Sequence, residues 1–160
     1  MGFLTGKTAI ITGAGRAVLK DGSCGSIGYG IATAYAKEGA NLVITGRNVK
    51  KLEAAKQELE SLYGIKVLTV QADVCAGGDN EATVANVVKQ AVDTFGGIQV
   101  LINNAQASAS GVPLAEHTTE QFDLAIYSGL YAAFYYMKAC YPYPVSYTHL
   151  RAHETLANLV

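Results

Sequence analysis

Cysteine is scarce in this 160-residue sequence, and its distribution excludes two kinds of site. Cys24, Cys75 and Cys140 are odd in number and widely spaced, and no two of them form a Cys-x-x-Cys pair. A disulfide framework and a zinc site built on paired cysteines are therefore excluded, and reduced thiols are expected. His149 and His153 have the i, i+4 spacing of two ligands on a helix, but no third ligand accompanies them. We predict no metal site.

An excess of charge of either sign is also absent. The sequence has 12 basic and 13 acidic residues, for a net charge of -1. This balance provides no attraction to nucleic acid or to an anionic membrane surface. No segment approaches the roughly 18 apolar residues that a membrane-spanning helix needs, and the residues after Met1 do not resemble a signal peptide. We expect a cytosolic protein whose partner is a small molecule.

Glycine, by contrast, is frequent, and residues 7–40 contain a glycine-rich turn between a predicted strand and a predicted helix. The apolar run 8–12 lacks alternation, which is typical of a strand buried on both faces of a parallel sheet. The helix is expected to begin at Ser26, a good N-cap, and to end at Gly39. Glycines at a helix N-terminus let a pyrophosphate approach the backbone N–H groups. Because Val18 interrupts the regular spacing, a flexible glycine-rich surface loop stays open as an alternative.

The apolar pattern after residue 40 alternates between strands and helices. Strands are predicted at 41–45, 66–70 and 98–102. Helices are predicted at 50–62, 79–95 and 120–140. Asn48 is the expected cap of the first of these helices and Asp79 of the second, while Thr118 and Gln121 form a capping box before the third. This alternation is typical of α/β proteins.

Short motifs stand at the ends of the predicted strands. They are Thr12-Gly13, with Ile27-Gly28 beyond a longer connection, then Asp73-Val74, then Asn103-Asn104-Ala105. In this order, over residues 1–143, they resemble the short-chain dehydrogenase/reductase family.

The resemblance implies a Rossmann-like α/β fold, which is a partial doubly wound parallel sheet with strand order 3-2-1-4 flanked by helices. Residues 1–143 are expected to be the N-terminal part of a dinucleotide-binding domain. The sheet is expected to be truncated after its fourth strand and the following helix, so that the fourth strand is an open edge. Residues 144–160 resemble the translation of a sequencing-library adapter and are expected to be a non-native tail.

The resemblance also implies a set of cofactor-binding residues. The pyrophosphate is expected at the glycine-rich turn, formed by Gly13, Gly15, Arg16, Ser26, Ile27 and Gly28. The adenine is expected beside Asp73 and Val74. The nicotinamide-side ribose is expected beside Asn104, Ala105 and Gln106, the last of which replaces a glycine of the family.

Gly46 and Arg47 bear on the choice of cofactor. They follow the second predicted strand, whose end faces the adenosine ribose in a dinucleotide-binding fold. An acidic residue there selects the 2′-hydroxyl of NAD, and a basic one accommodates the 2′-phosphate of NADP. The acid is missing and Arg47 follows, so NADP is favoured and NAD remains possible. The alternative is that Arg47 is a solvated turn residue.

The catalytic positions of the family are not filled. Gly129 stands where the family has its catalytic asparagine, and no tyrosine is followed by a lysine four residues later. We therefore assign no catalytic residue and expect this chain to be inactive. The parent protein is expected to be an NAD(P)(H)-dependent oxidoreductase acting on a carbonyl or alcohol. The alternatives are an enoyl reductase, which the turn around Ser26 resembles, and a nucleotide-binding sensor on the same fold.

The run 124–137 is uncharged and rich in tyrosine, yet too short to cross a membrane. In the family, the matching helix packs against its counterpart in a dimer. A homo-oligomer is therefore expected for the full-length parent, and a purely intramolecular core face is the alternative.

Overall fold

The computed structural model describes residues 2–74, 80–143 and 148–151, the last four by their backbone alone. The strands within these residues are β1 (Thr8–Thr12), β2 (Asn41–Gly46), β3 (Val67–Gln71), β4 (Val100–Asn103) and β5 (Thr148–Arg151). The α-helices are α1 (Ile27–Lys37), α2 (Val49–Tyr63), α3 (Asn80–Phe95), α4 (Thr119–Ala125) and α5 (Ala132–Cys140). A short 3₁₀ helix covers Leu114–Glu116, and a π-helical turn, Ile126–Tyr131, joins α4 to α5.

The strands form one parallel sheet in the order β3-β2-β1-β4-β5. In its centre, Ile11 of β1 is paired with Ile44 of β2 on one side and with Ile102 of β4 on the other. Every residue of Thr8–Thr12 is buried, as expected for a central strand covered on both faces. The predicted Rossmann-like order 3-2-1-4 is confirmed.

The sheet continues one strand further than the sequence predicted. The backbone of Thr148–Arg151 pairs in parallel with β4, with His149 opposite Leu101. β4 is therefore not the open edge that we expected. The prediction missed β5 because its residues lack an apolar run, whereas ladder pairing needs only backbone N–H and C=O groups. The rest of the predicted non-native tail, at 144–147 and 152–160, lies outside the described residues.

Helices cover both faces of the sheet and create two apolar cores. Successive side chains of β1 point to opposite faces, which separates Ile10 from Ile11. Ile11 belongs to the core that α1 and α2 cover, together with Leu52 of α2. Ile10 belongs to the core that α3 and α5 cover, together with Val84 of α3 and Tyr136 of α5. This division is the doubly wound architecture that the resemblance implied.

Helix boundaries follow the capping residues. The Asn48 side chain accepts a backbone N–H bond of 3.1 Å from the first turn of α2, and Gly64 ends that helix in the left-handed conformation with a φ of 65°. Thr118 and Gln121 form the predicted capping box of α4. Asp79, the expected cap of α3, lies outside the described residues.

The predicted helix 120–140 is a single helical run with an irregular centre. The backbone N–H of Ala132 donates to the carbonyl oxygen of Tyr127, which is the i→i+5 pattern of a π-helix. Such turns widen a helix locally and are frequent at functional sites. Neither this run nor any other helix in the described part of the chain is long and apolar enough to cross a membrane.

Candidate functional site

Thr12 and Asn104 join the carboxyl ends of the two central strands, β1 and β4. The Thr12 hydroxyl oxygen accepts the backbone N–H groups of Asn104 and Ala105 at 2.9 and 2.8 Å. The Asn104 side-chain amide donates to the Thr12 carbonyl oxygen at 2.8 Å. Since Thr12 is 2% exposed, these bonds are shielded from water. The end of the sheet is therefore rigid where the predicted nucleotide-binding motifs meet.

Gly13 and Gly28 let the start of α1 approach the end of β1. Gly13 adopts a φ of 69°, in the left-handed region that favours glycine. A Cβ built on Gly28 would lie 2.4 Å from the Gly13 carbonyl oxygen and 2.5 Å from the side-chain nitrogen of Asn104. No side chain fits at position 28 without moving the backbone of the turn. Both glycines are thus required by close packing.

The N-terminus of α1 has the chemistry of an anion site. Ser26 is its N-cap, as predicted, but its side chain makes no capping bond. The Ser26 hydroxyl oxygen is buried and has no hydrogen-bond partner among the described residues. The first N–H groups of a helix have no partner within the helix, and the helix dipole is positive at this end. An unpaired hydroxyl beside such N–H groups fits a phosphate.

Arg16, another residue predicted to bind the pyrophosphate, contacts α2. Its backbone N–H donates to the Lys51 carbonyl oxygen at 2.8 Å, and its guanidinium forms an ion pair with Glu58 of α2. The Tyr29 hydroxyl of α1 donates to the same carboxylate at 2.5 Å. Hydrogen bonds from Tyr29 and then from Arg16 lower the pKa of Glu58, while burial and the bond to Glu58 raise the pKa of Tyr29 to about 12.

The long connection before α1 folds back on itself as a small hairpin. Val18 and Cys24 form an antiparallel bridge, and the Gly25 N–H donates to the Ala17 carbonyl oxygen at 2.7 Å. The Asp21 side chain accepts the Ser23 N–H and hydroxyl groups at its tip. This connection is therefore a hydrogen-bonded hairpin, and the two glycines on either side of it, Gly13 and Gly28, stay in contact.

A cleft of about 200 Å³ lies at the carboxyl ends of β1 to β4. Seven of the residues predicted to bind a cofactor line it: Gly13, Arg47, Asp73, Val74, Asn104, Ala105 and Gln106. Thr45, Gly46, Ala72 and Ala107 complete the lining. The predicted residues that are absent from this lining are Gly15, Arg16, Ser26, Ile27 and Gly28. Gly15 packs against α2, where a Cβ would lie 3.1 Å from the Lys51 Cβ, and the exposed Ile27 side chain lies on the first turn of α1.

A second cavity, of about 30 Å³, adjoins the cleft and shares Val74, Asn104, Ala105 and Gln106 with it. Its other lining residues come from the strand ends, the π-helical turn and α5, namely Thr12, Asn103, Ser128, Gly129, Ala132, Ala133 and Tyr136. Burial raises the pKa of the Tyr136 phenol further above neutral pH.

The sequence did not point to two side chains, Ser128 and Asn80, that connect the π-helical turn beside this cavity to other parts of the chain. The Ser128 hydroxyl accepts the Ala107 N–H at 2.9 Å and donates to the Leu124 carbonyl oxygen at 2.7 Å, which links the π-helical turn to the loop after β4. Asn80 contacts the other side of the same turn through the Tyr127 carbonyl oxygen. Neither residue belongs to a recognisable motif, so the sequence carried no signal for them.

A family model described as short chain dehydrogenase matches residues 7–148. The chain belongs to the short-chain dehydrogenase family. It is 61% identical over 143 residues to a 12alpha-hydroxysteroid dehydrogenase from a Clostridium species, a match that covers 89% of this chain and 52% of the relative. The chain spans 52% of the length of this relative and between 26% and 54% of the length of other curated relatives that it matches.

Solved structures of short-chain dehydrogenases share this fold. L-Sorbose reductase from Gluconobacter frateurii, complexed with NADPH and L-sorbose, superposes with a TM-score of 0.74 at 31% identity, over 89% of this chain and 48% of that one. An NAD+-bound xylitol dehydrogenase superposes with a TM-score of 0.73 at 27% identity, over 86% of this chain and 48% of that one.

Proposed function

We propose that this chain is the cofactor-binding part of an NADP(H)-dependent oxidoreductase of the short-chain dehydrogenase type. The observation that carries the proposal is that Gly13, Arg47, Asp73 and Asn104, which are up to 91 residues apart in the chain, border one cleft. The cleft lies at the carboxyl ends of parallel strands, where open α/β sheets bind their ligands. The proposed unit comprises residues 1–143, and residues 144–160 are proposed to be a non-native tail.

The residues present fit a dinucleotide. The buried, unpaired Ser26 hydroxyl and the close Gly13–Gly28 contact leave an anion site for the pyrophosphate. Asp73 and Val74 are the proposed adenine contacts. Asn104, Ala105 and Gln106 are the proposed contacts of the nicotinamide-side ribose. When bound, the nicotinamide accepts or donates the hydride, and the protein orients it.

Arg47 carries the preference for NADP over NAD in this proposal. Its side chain is exposed, it lines the cleft, and no acidic residue precedes it at position 46. The solved relatives include an NADPH complex and an NAD+ complex, so the fold alone does not choose between the cofactors. The charge at position 47 is the feature of this chain that favours a 2′-phosphate.

A secondary alcohol or the corresponding ketone is the proposed substrate. The relative at 61% identity is named a 12alpha-hydroxysteroid dehydrogenase, which favours a steroid hydroxyl within that class. Residues 1–160 contain no Tyr-x-x-x-Lys and have Gly129 at the asparagine position, so we propose that this chain binds cofactor without turnover.

A second copy of the chain is the proposed macromolecular partner of the parent protein. The π-helical turn and α5 expose an aromatic and apolar face, formed by Tyr127, Leu130, Tyr131, Phe134 and Met137. Tyr127 and Tyr131 stack with ring centroids 5.3 Å apart, which makes part of this face rigid. Contiguous exposed apolar surface of this kind is typical of protein interfaces.

Binding of NADPH to residues 1–160 tests the proposal. We expect the nicotinamide fluorescence to change on titration with the chain, and adenosine 2′,5′-bisphosphate to compete. Addition of a panel of ketones, including a 12-keto steroid, is expected to leave the nicotinamide absorbance unchanged. Absence of NADPH binding by a folded chain would overturn the proposed function, and turnover of any ketone would overturn the proposed lack of catalysis.

A further inference from the structure

Asn80, the first residue of α3, joins the end of β3 to the π-helical turn through a buried side chain. Asn80 is 1% exposed. Its amide nitrogen donates to the Val74 carbonyl oxygen at 2.6 Å and to the Tyr127 carbonyl oxygen at 3.3 Å. Since both partners are acceptors, the amide NH₂ group is the end of the side chain that faces them. The Val74 contact is local, at a separation of 6 residues, whereas the Tyr127 contact spans 47 residues and is tertiary.

The two carbonyl groups have different places in the site: Val74 lines both cavities, and the turn that contains Tyr127 lines the smaller one through its later residues. Val74 follows Asp73 in the wall of the larger cleft, on the side where the adenine is proposed to bind. Tyr127 precedes Ser128 and Gly129, which line the smaller cavity. One side chain therefore connects the adenine side of the cleft to the turn that borders the smaller cavity.

The Tyr127 carbonyl oxygen accepts a second hydrogen bond besides the one from Asn80. Its carbonyl oxygen also accepts the Ala132 N–H that closes the π-helical turn. A displacement of Val74 that is transmitted through Asn80 thus acts on the bond that defines the turn. On its other side the turn is held by Ser128, which is bonded to the backbone of Ala107. Gly129 directly follows both attachment points in the chain.

Packing alone does not account for an asparagine at this position. The side-chain oxygen of Asn80 is buried and has no hydrogen-bond partner in the part of the chain that the structure describes. A buried, unpaired polar atom costs free energy, which an apolar residue of similar size would avoid. The two hydrogen bonds of the Asn80 amide nitrogen compensate for the free-energy cost of its unpaired oxygen.

We propose that Asn80 is a positioning residue that couples occupancy of the adenine side of the cleft to the order of the π-helical turn. This inference rests on the proposed function, because it requires a nucleotide in the cleft. A ligand that orders Asp73 and Val74 then also orders Tyr127 to Ala132, and with them the wall of the smaller cavity. The coupling is carried by hydrogen bonds, whose usual net contribution corresponds to about a fivefold change in an opening equilibrium.

Hydrogen–deuterium exchange of the 160-residue chain, with and without adenosine 2′,5′-bisphosphate, tests this coupling. In the wild type we expect the nucleotide to slow exchange at residues 72–74 and also at residues 128–132. In Asn80→Ala we expect slowing at 72–74 to persist and slowing at 128–132 to fall by about fivefold. Asn80→Ser, whose short hydroxyl cannot bridge both carbonyls, serves as a second variant. Asn86→Ala, which removes an exposed asparagine of the same helix, is the matched control and is expected to behave as the wild type.

The outcomes separate this inference from the proposed function. A folded wild-type chain that does not bind the bisphosphate overturns both. Wild-type binding without slowed exchange at 128–132 overturns the coupling alone, whether or not the variants fold. Variants that bind the bisphosphate and protect 128–132 as the wild type does also overturn the coupling alone. If Asn80 contributed only to stability, Asn80→Ala would speed exchange at residues 128–132 equally in the free and the bound chain. That result would contradict the proposal.

Discussion

The Gln106 side chain lies beside the Cα atom of Gly129, within contact distance of the place that a Cβ would occupy. A Cβ built on Gly129 would lie 3.4 Å from the Gln106 amide nitrogen and 3.7 Å from its Cγ. These are two of the positions at which the sequence departs from the family pattern that it resembles, with glutamine in place of glycine and glycine in place of asparagine. The structure brings both departures into one contact. In this chain the larger of the two side chains, Gln106, is on the loop after β4, whereas the family pattern has its larger side chain, an asparagine, on the helical run.

The contact predicts non-additive effects of substitution. Gly129→Asn places a second amide against Gln106, and we expect a loss of about 1–3 kcal/mol in unfolding free energy from overpacking. Gln106→Gly removes the opposing side chain, so the double variant is expected to regain more than about 0.5 kcal/mol relative to the sum of the single changes. Urea unfolding of the four proteins measures this interaction energy. Additive free energies would show that the two residues do not share the space.

Two glycines of α1 make a matched pair for testing the turn. Gly28→Ala introduces a Cβ 2.4 Å from the Gly13 carbonyl oxygen, and we expect it to destabilise the fold by about 1–3 kcal/mol and to weaken NADPH binding. Gly30→Ala introduces a Cβ 3.3 Å from the Cys24 sulfur, at the end of a side chain that can rotate. That substitution is expected to be nearly neutral, since alanine favours the helix. Thermal unfolding and fluorescence titration measure both effects, and equal losses in the two variants would contradict the close Gly13–Gly28 contact.

Arg47 predicts the cofactor preference. We expect the chain to bind NADPH more tightly than NADH, and Arg47→Asp to reverse that order by removing the positive charge and adding an acid that suits a ribose 2′-hydroxyl. Competition titrations with both cofactors measure the ratio of dissociation constants. Lys20→Asp, in the exposed hairpin before α1, makes the same charge change and is expected to leave the ratio unaltered. An unmoved ratio in Arg47→Asp would identify Arg47 as a solvated turn residue.

The carboxylate of Glu58 predicts a pH-dependent contribution to stability. Hydrogen bonds from Tyr29 and then from Arg16 lower its pKa below the ordinary value of 4.5. A group whose pKa is lower in the folded state stabilises the fold above the unfolded-state pKa, and that stabilisation is lost as the pH falls through the folded-state value.

We therefore expect the wild type to melt at a higher temperature than Glu58→Gln at pH 7, and the difference to shrink as the pH decreases below about 4.5. Tyr29→Phe removes only the hydroxyl group that donates to Glu58. We expect it to lose part of the stabilisation that Glu58→Gln loses at pH 7. Melting curves between pH 3 and pH 7 provide the measurement. A difference that stays constant over this range would mean that ionisation of Glu58 does not stabilise the fold.

The sequence by itself determined the strands β1 to β4 and most of the helix boundaries, because their signals are local, whereas β5 and the π-helical turn have no local signal. The apolar run Thr8–Thr12 predicted a doubly buried central strand, and Thr118 with Gln121 predicted the start of a helix. The resemblance carried by the strand-end motifs also implied which chain segments belong near a nucleotide. These features depend on burial periodicity and capping within a few residues, which the chain order specifies directly.

Only the tertiary structure decided which side chains meet. Arg16, which we predict at the pyrophosphate, bonds to Glu58, 42 residues away, because the backbone of its turn bonds to α2. Asn80 and Ser128 carried no motif, yet burial leaves their polar groups dependent on the nearest backbone partners. Gln106 and Gly129 are complementary only because a loop and a helical turn are adjacent in space. Such contacts join segments that are distant in sequence, so they follow from how the sheet and helices pack and not from any local pattern.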